Sequence, residues 1–285
     1  RESSFGAIAM RAAARIESCW RQPLPSAPES LVPLDEDRLG VCDRDGLMTV
    51  RSWEDGQVVW SRPMPGSGGG GVAFAGRWCM PLEDGLAAFG LATGEPDWVV
   101  DQRGIRADAP LAVSGGLLIV ADPLERLFVA RDGQGQTVWQ ASYGRPRPHL
   151  DPEALERLDG KVRWTMGDGL LLWTFKGRVG LIRAGDGRPV WELPLPEGME
   201  GAARQCRVLL VAGHAILVDR GGRCVALDRE GGRQVWELPP PAGGTEVPEA
   251  LAVGDRLVLR AWSWKVLAVD GRSGERGWTA HLGGP

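Results

Sequence analysis

Few side chains in this sequence stand at spacings that support chemistry. The three histidines, His149, His214 and His281, are dispersed, and no pair has the spacing of a zinc motif. There is no Gly-x-Ser-x-Gly elbow, so a Ser-His-Asp hydrolase is not indicated. Residues Gly66-Ser-Gly-Gly-Gly-Gly71 satisfy the phosphate-cradling pattern G-x-G-x-x-G, but Val72-Ala-Phe-Ala75 behind them reads as a strand rather than a helix, and no Lys-Ser/Thr follows. A flexible linker is the better reading. The acidic runs Asp35-Glu-Asp37 and Asp43-Arg-Asp45-Gly46 lack the ligand order of an EF-hand and read as solvated turns. Five cysteines, Cys19, Cys42, Cys79, Cys206 and Cys224, form neither a C-x-x-C nor an adjacent pair, and so read as buried thiols. No catalytic, cofactor-binding or metal-ligating residue is predicted, and no cofactor is expected.

What the sequence does specify is a scaffold. The 285 residues include 41 Gly, 21 Pro and 13 Trp against one Tyr and five Phe, a turn-dense and Trp-heavy mixture with enough apolar residues for a core. A net charge of −4 argues against a nucleic-acid partner. The longest apolar stretch, Val208 to Val218, is interrupted by Gly213 and His214 and falls short of the roughly 20 residues that span a bilayer. Free thiols point to a reducing, cytoplasmic location; the periplasm is the alternative, because a mature exported chain also lacks its signal.

One pattern recurs along the chain: a short apolar strand, a turn, Gly, three residues, then Trp. It occurs at Gly56–Trp60, Gly94–Trp98, Gly135–Trp139, Gly187–Trp191, Gly232–Trp236 and Gly274–Trp278. A degenerate seventh copy, Gly6 through Trp20, aligns without gaps onto Gly46 through Trp60, with Ile16 at the turn glycine. Successive tryptophans lie 38 to 52 residues apart, the period of a four-stranded propeller blade. Inside one period, Leu111–Val113, Leu117–Val120, Leu127–Ala130 and Thr137–Trp139 read as four strands separated by turn residues. The glycine suits a tight turn that needs positive φ. Proline recurs three positions after the Trp at Pro23, Pro63, Pro194 and Pro239, where it ends a strand.

These residues resemble the PQQ-like repeat of β-propellers, whose pattern reads roughly D-G-x-apolar-x-A-L-D-x-x-T-G-x-x-x-W. The segments Gly222 to Trp236 and Lys265 to Trp278 match it most fully, and Leu91-Ala-Thr-Gly94 keeps its Thr-Gly turn. The resemblance covers the chain and implies that Trp20, Trp60, Trp98, Trp139, Trp191, Trp236 and Trp278 pack between neighbouring blades. The expected fold is therefore all-β: a single propeller domain over residues 1–285, built of four-stranded antiparallel blades. Repeats run over 21–60, 61–98, 99–139, 140–191, 192–236 and 237–278, with residues 1–20 giving a partial one. Seven blades are expected, six full and an N-terminal half-blade, since an unpaired half-blade edge is avoided in nature. A six-bladed ring with an appended hairpin is the alternative.

The period 140–191 carries an insertion. Asp151 through Gly160 reads as a short helix with Asp as N-cap, Pro in its first turn and Gly past its end. Its flanking residues Tyr143, Arg145, Arg147 and His149, with Glu153 and Arg157, form the candidate partner-binding loop, because an excursion on one blade of a rigid scaffold is suited to contact a specific partner. The expected function is a non-catalytic protein–protein interaction scaffold, a domain or subunit of a larger assembly, with protein partners and without a small ligand in the central channel. The alternative is a periplasmic scaffold in outer-membrane protein assembly, similar to the lipoprotein built of the same repeats, although the eight blades and lipidated Cys usual there are not seen. A quinone-dependent dehydrogenase is the third reading, and it lacks the adjacent cysteine pair and the metal-side Asp that such enzymes carry.

Overall fold

The computed structural model describes residues 26–63, 70–107, 109–146, 161–199, 206–240, 249–260 and 265–281. The expected half-blade with Trp20 and the expected helix at 151–160 lie outside these residues. Among the described residues every regular element is a strand, and 24 strands form six antiparallel four-stranded sheets in simple meander order. Two compact units divide them.

The first unit, within Ile8–Arg157, holds three blades. Pro28–Pro33, Arg38–Asp43, Leu47–Ser52 and Val58–Pro63 (β1–β4) form one; Val72–Phe74, Arg77–Leu82, Gly85–Gly90 and Pro96–Asp101 (β5–β8) the next; Leu111–Ser114, Leu117–Asp122, Leu127–Arg131 and Thr137–Ser142 (β9–β12) the third. The second unit, within Leu158–Pro285, holds three more. These are Arg163–Gly167, Leu170–Phe175, Arg178–Arg183 and Pro189–Pro194 (β13–β16); Arg207–Val211, His214–Val218, Cys224–Asp228 and Gln234–Leu238 (β17–β20); and Glu249–Val253, Arg256–Arg260, Lys265–Asp270 and Arg276–His281 (β21–β24).

Patterning explains why each strand takes its place. Second and third strands read as largely apolar runs: all six residues of β10, Leu-Leu-Ile-Val-Ala-Asp, are buried. Fourth strands are covered on one face only and alternate, as in β12, where Thr137 and Val138 are exposed, Trp139 buried and Gln140 exposed. Cores lie between adjacent blades. Val32, Cys42, Met48, Val50 and Trp60 meet Trp78, Met80 and Phe89 in the first unit, while Ile216, Val218, Cys224 and Trp236 meet Leu257, Leu259 and Val269 in the second.

The third and fourth strands are joined the same way in five of the six described blades, and in the third by a turn one residue shorter, in which Gly135 donates to Asp132 at 3.0 Å. The turn glycine donates its amide to a carbonyl at the end of the third strand, as Gly94 does to Gly90 at 2.8 Å and Gly232 to Asp228 at 3.2 Å. A register shift then falls just beside the tryptophan, for example between Ala88 and Phe89, where Ala88 faces Trp98, and between Ala226 and Leu227, where Ala226 faces Trp236. Such a bulge increases local twist and re-aims a side chain. Here it swings the indole out of its own blade towards the next.

Candidate functional site

Each described tryptophan of the Gly-x-x-x-Trp repeat that has a following blade in its unit ends in one lock. Trp60 Nε1 donates to the Leu91 carbonyl at 2.9 Å, and a Cβ on Gly94 would stand 2.6 Å from the Trp60 ring. Trp98 donates to Gly133 at 3.0 Å and lies 2.9 Å from the Cβ position of Gly135. Trp191 donates to Arg229 at 3.1 Å over Gly232, and Trp236 to Gly271 at 3.1 Å over Gly274. Gly94 has φ +69, so the residue is required twice: for the left-handed turn, and for the ring that occupies the space of a side chain. Burying such a ring contributes roughly 2–3 kcal/mol by area. A second indole, Trp78, reinforces the first junction by lying 3.0 Å from the Cβ position of Gly40 in β2.

The tryptophans expected to pack between blades are thus placed as follows. Trp60, Trp139, Trp191 and Trp236 are buried and Trp98 is half-buried, whereas Trp20 lies outside the described residues. Trp278 departs from the expectation: 47% of it is exposed, and no described glycine turn covers it.

The partner-binding loop begins differently from its sequence reading. Tyr143 is buried, its ring centroid 5.0 Å from that of Phe128, and its hydroxyl donates to the Asp122 carbonyl at 2.9 Å. Burial, with Asp122 adding to it, pushes the phenol well above its ordinary range. Tyr143 therefore anchors the loop and is not a surface contact: the alternation of β12 continues past its end, so Tyr143 points inwards like Trp139. Arg145 is exposed, while Arg147, His149, Glu153 and Arg157 lie outside the described residues.

Beneath Tyr143 is a polar network that the sequence reading missed. Buried Arg131 donates to the Gly135 carbonyl at 2.9 Å, to Thr137 Oγ1 at 3.1 Å and to Gln102 Oε1 at 2.6 Å. Gln102 Nε2 in turn donates to Asp122 Oδ2 at 2.9 Å, and Asp122 Oδ1 accepts the amides of Leu124 and Glu125, both at 2.9 Å. Desolvation lowers the Arg131 guanidinium from its ordinary range, against the pull of Asp122. The available signal was Arg131 itself, a charge at a position where four of the corresponding strands carry Phe89, Ile182, Leu227 and Val269; the fifth carries Arg51, likewise buried and donating to the Gly56 carbonyl of its own turn at 2.9 Å. The network fixes the exit of one blade to the next. It presents no nucleophile.

Four thiols, Cys42, Cys79, Cys206 and Cys224, are buried and free. Desolvation pushes Cys79, Cys206 and Cys224 to about 12, which keeps them protonated and unreactive at neutral pH. Among the described residues no cluster of His, Cys, Asp and Glu could hold a metal ion.

Repeated locks that consume each recurrent Gly and Trp are what a family defined by this repeat would share. The sequence pattern of the family described as outer membrane protein assembly factor BamB matches residues 6–162 and again 129–285. The chain belongs to that family. BamB of Burkholderia pseudomallei (strain K96243) is 24% identical over 189 residues, covering 62% of this chain and 48% of that protein, so the chain spans about half the length of this curated relative. Among solved structures, BamB from Moraxella catarrhalis superposes with a TM-score of 0.67 at 16% identity, covering 92% of this chain and 76% of that one. Saccharomyces cerevisiae Sqt1 superposes with a TM-score of 0.61 at 10% identity, covering 92% and 75%. These likenesses establish the β-propeller fold, in agreement with the BamB-type repeat.

Proposed function

We propose that this chain is a non-catalytic β-propeller scaffold that binds proteins in the assembly of outer-membrane β-barrel proteins, on the periplasmic side of that membrane. The observation that carries the reading is the family match across both halves of the chain. A physical argument supports it: the recurrent residues are spent on holding blades together, so what distinguishes one blade from another lies in the connections and strand edges. The thiols, which pointed to the cytoplasm in the sequence, do not oppose the periplasm. A buried thiol at about 12 offers almost no thiolate to an oxidant.

Within this reading, residues 1–285 act as one propeller domain, with residues 1–20 supplying part of a further blade. The segment from Arg145 through Arg147, His149, Glu153 and Arg157 contacts a protein partner, held in place by Tyr143. The net charge of −4 is consistent with a protein rather than a nucleic-acid partner.

Affinity purification of the tagged native-length chain, with envelope and soluble fractions crosslinked and analysed separately, tests the proposal. Recovery in the envelope with barrel-assembly proteins, crosslinked near 143–160, is the expected result. Recovery only with soluble cytoplasmic proteins contradicts it.

A further inference from the structure

Charge is divided unevenly between the two units. Among the described residues the first carries ten Arg against sixteen Asp and Glu, and the second sixteen Lys and Arg against twelve Asp and Glu. Within the second unit the surplus lies at one end. Two contacts align one set of turns across its blades: Arg229, in the β19–β20 turn, reaches Asp168, in the β13–β14 turn, at 2.7 Å, and the Cβ position of Gly271, in the β23–β24 turn, lies 2.6 Å from Val211 at the end of β17. Seven Arg at that end are matched by seven Asp and Glu. At the opposite end the chain passes from second strand to third and from blade to blade, and there Arg223 reaches the Glu197 carbonyl beyond β16 at 2.6 Å. Nine Lys and Arg stand here against five carboxylates. Three of the five, Glu192, Glu237 and Glu249, are bonded to Arg178, Arg223 and Arg260. Glu197 and Asp219 are then set against six further cations. In a chain with thirty Arg, all three lysines, Lys161, Lys176 and Lys265, are exposed at this one end.

We propose that this end of the second unit receives an acidic segment of a partner protein. Four positive charges in excess, carried on the turns and strand ends of three packed blades, draw carboxylates in and orient them at little ordering cost. A lipid surface is the poorer match. An element that lies on a membrane buries an apolar face in it, and the exposed large apolar residues of this unit, Val235, Val253 and Trp278, sit outside this end, while Leu195 and Met199 on the crossing after β16 are buried. The acidic first unit of a second copy is the competing source of carboxylates, and the test separates it. That the partner belongs to outer-membrane assembly rests on the proposed function; the cationic end does not.

The test is fluorescence anisotropy of a labelled peptide of alternating Glu and Ser titrated with the full chain, with lysine acetylation read by mass spectrometry. The peptide binds, weakens by about tenfold or more as salt is raised from low to physiological strength, and slows acetylation of Lys161, Lys176 and Lys265. Combined Lys176→Glu, Arg220→Glu and Lys265→Glu weakens binding by about tenfold or more. Combined Arg188→Glu, Arg233→Glu and Arg272→Glu changes net charge equally at the balanced end and leaves binding within about twofold; those side chains are 70–86% exposed, so the fold tolerates their loss. The proposal is overturned if the peptide does not bind at low salt, if both triple variants weaken it equally, if phosphatidylglycerol vesicles bind the chain and the peptide does not, or if the chain alone forms salt-sensitive oligomers in which the lysines are already protected. Peptide binding by a chain that recovers only cytoplasmic partners would sink the outer-membrane role and leave the cationic site standing. Envelope partners without peptide binding would do the reverse.

Discussion

Trp60 and Gly94 form a single lock across two blades: the ring fills the space that a side chain on residue 94 would need, and the indole N–H closes on the Leu91 carbonyl at 2.9 Å of the same turn. The repeat is therefore a statement about neighbours. A glycine in one blade is dictated by the tryptophan of the blade before it.

Two glycines separate the two demands. Gly76 has φ +74 with nothing within 4 Å of its Cβ position, whereas Gly94 has φ +69 and the Trp60 ring at 2.6 Å. Gly76→Ala is expected to cost about 1 kcal/mol for backbone strain alone, and Gly94→Ala about 2–4 kcal/mol. Urea unfolding of both variants measures this, and equal losses would show that the ring contact adds nothing.

The tryptophans separate in the same manner. Trp236→Ala is expected to cost about 3–5 kcal/mol by emptying a buried junction, and Trp236→Phe about 1–3 kcal/mol by leaving the Gly271 carbonyl unpaired. Trp278→Ala, at an exposed site, is expected to cost less than about 1 kcal/mol. Thermal and urea denaturation give the ranking.

Tyr143 and Arg145 differ by two residues and are predicted to fail differently. Tyr143→Phe removes one buried hydrogen bond and lowers stability by about 1–2 kcal/mol while partner binding is retained. Arg145→Glu leaves stability unchanged and weakens the crosslink to the partner. Both effects are read by pairing denaturation with a pull-down.

The buried thiols set an alkaline limit. Cys79, Cys206 and Cys224 rise from 9.0 to about 12 on folding, so the folded chain holds protons that the unfolded chain releases. Their contribution is complete below the unfolded value and is lost progressively as pH rises from about 9 towards 12. Cys79, Cys206 and Cys224 of the folded protein are accordingly expected to resist a thiol reagent at pH 8 and to react fully in denaturant, read residue by residue by mass spectrometry. Rapid labelling of these three in the folded protein would contradict the burial.

Much of this was legible in the sequence for a physical reason. Strand alternation and the Gly-to-Trp spacing are local properties, so the six described blades and the register of each tryptophan follow from short segments such as Gln234–Leu238. What the glycines touch is not local. The ring over Gly94 comes from Trp60 in another blade, and the turn alone accounts for only half of the requirement. Tyr143 was read as a loop contact because it follows the last strand residue, although the inward alternation of Trp139 and Ala141 already pointed it to the core. The link from Arg131 through Gln102 to Asp122 joins residues brought together only by blade packing. The exposure of Trp278 has the same origin, because each indole is covered by a blade other than its own.

The most direct measurement of the central claim is quantitative proteomics of outer membranes from source cells with and without this chain. The scaffold reading predicts that β-barrel proteins fall together when the chain is removed and recover when it is restored, with the restored chain found in the envelope. Unchanged barrel levels, with the chain recovered in the cytosol, would contradict it.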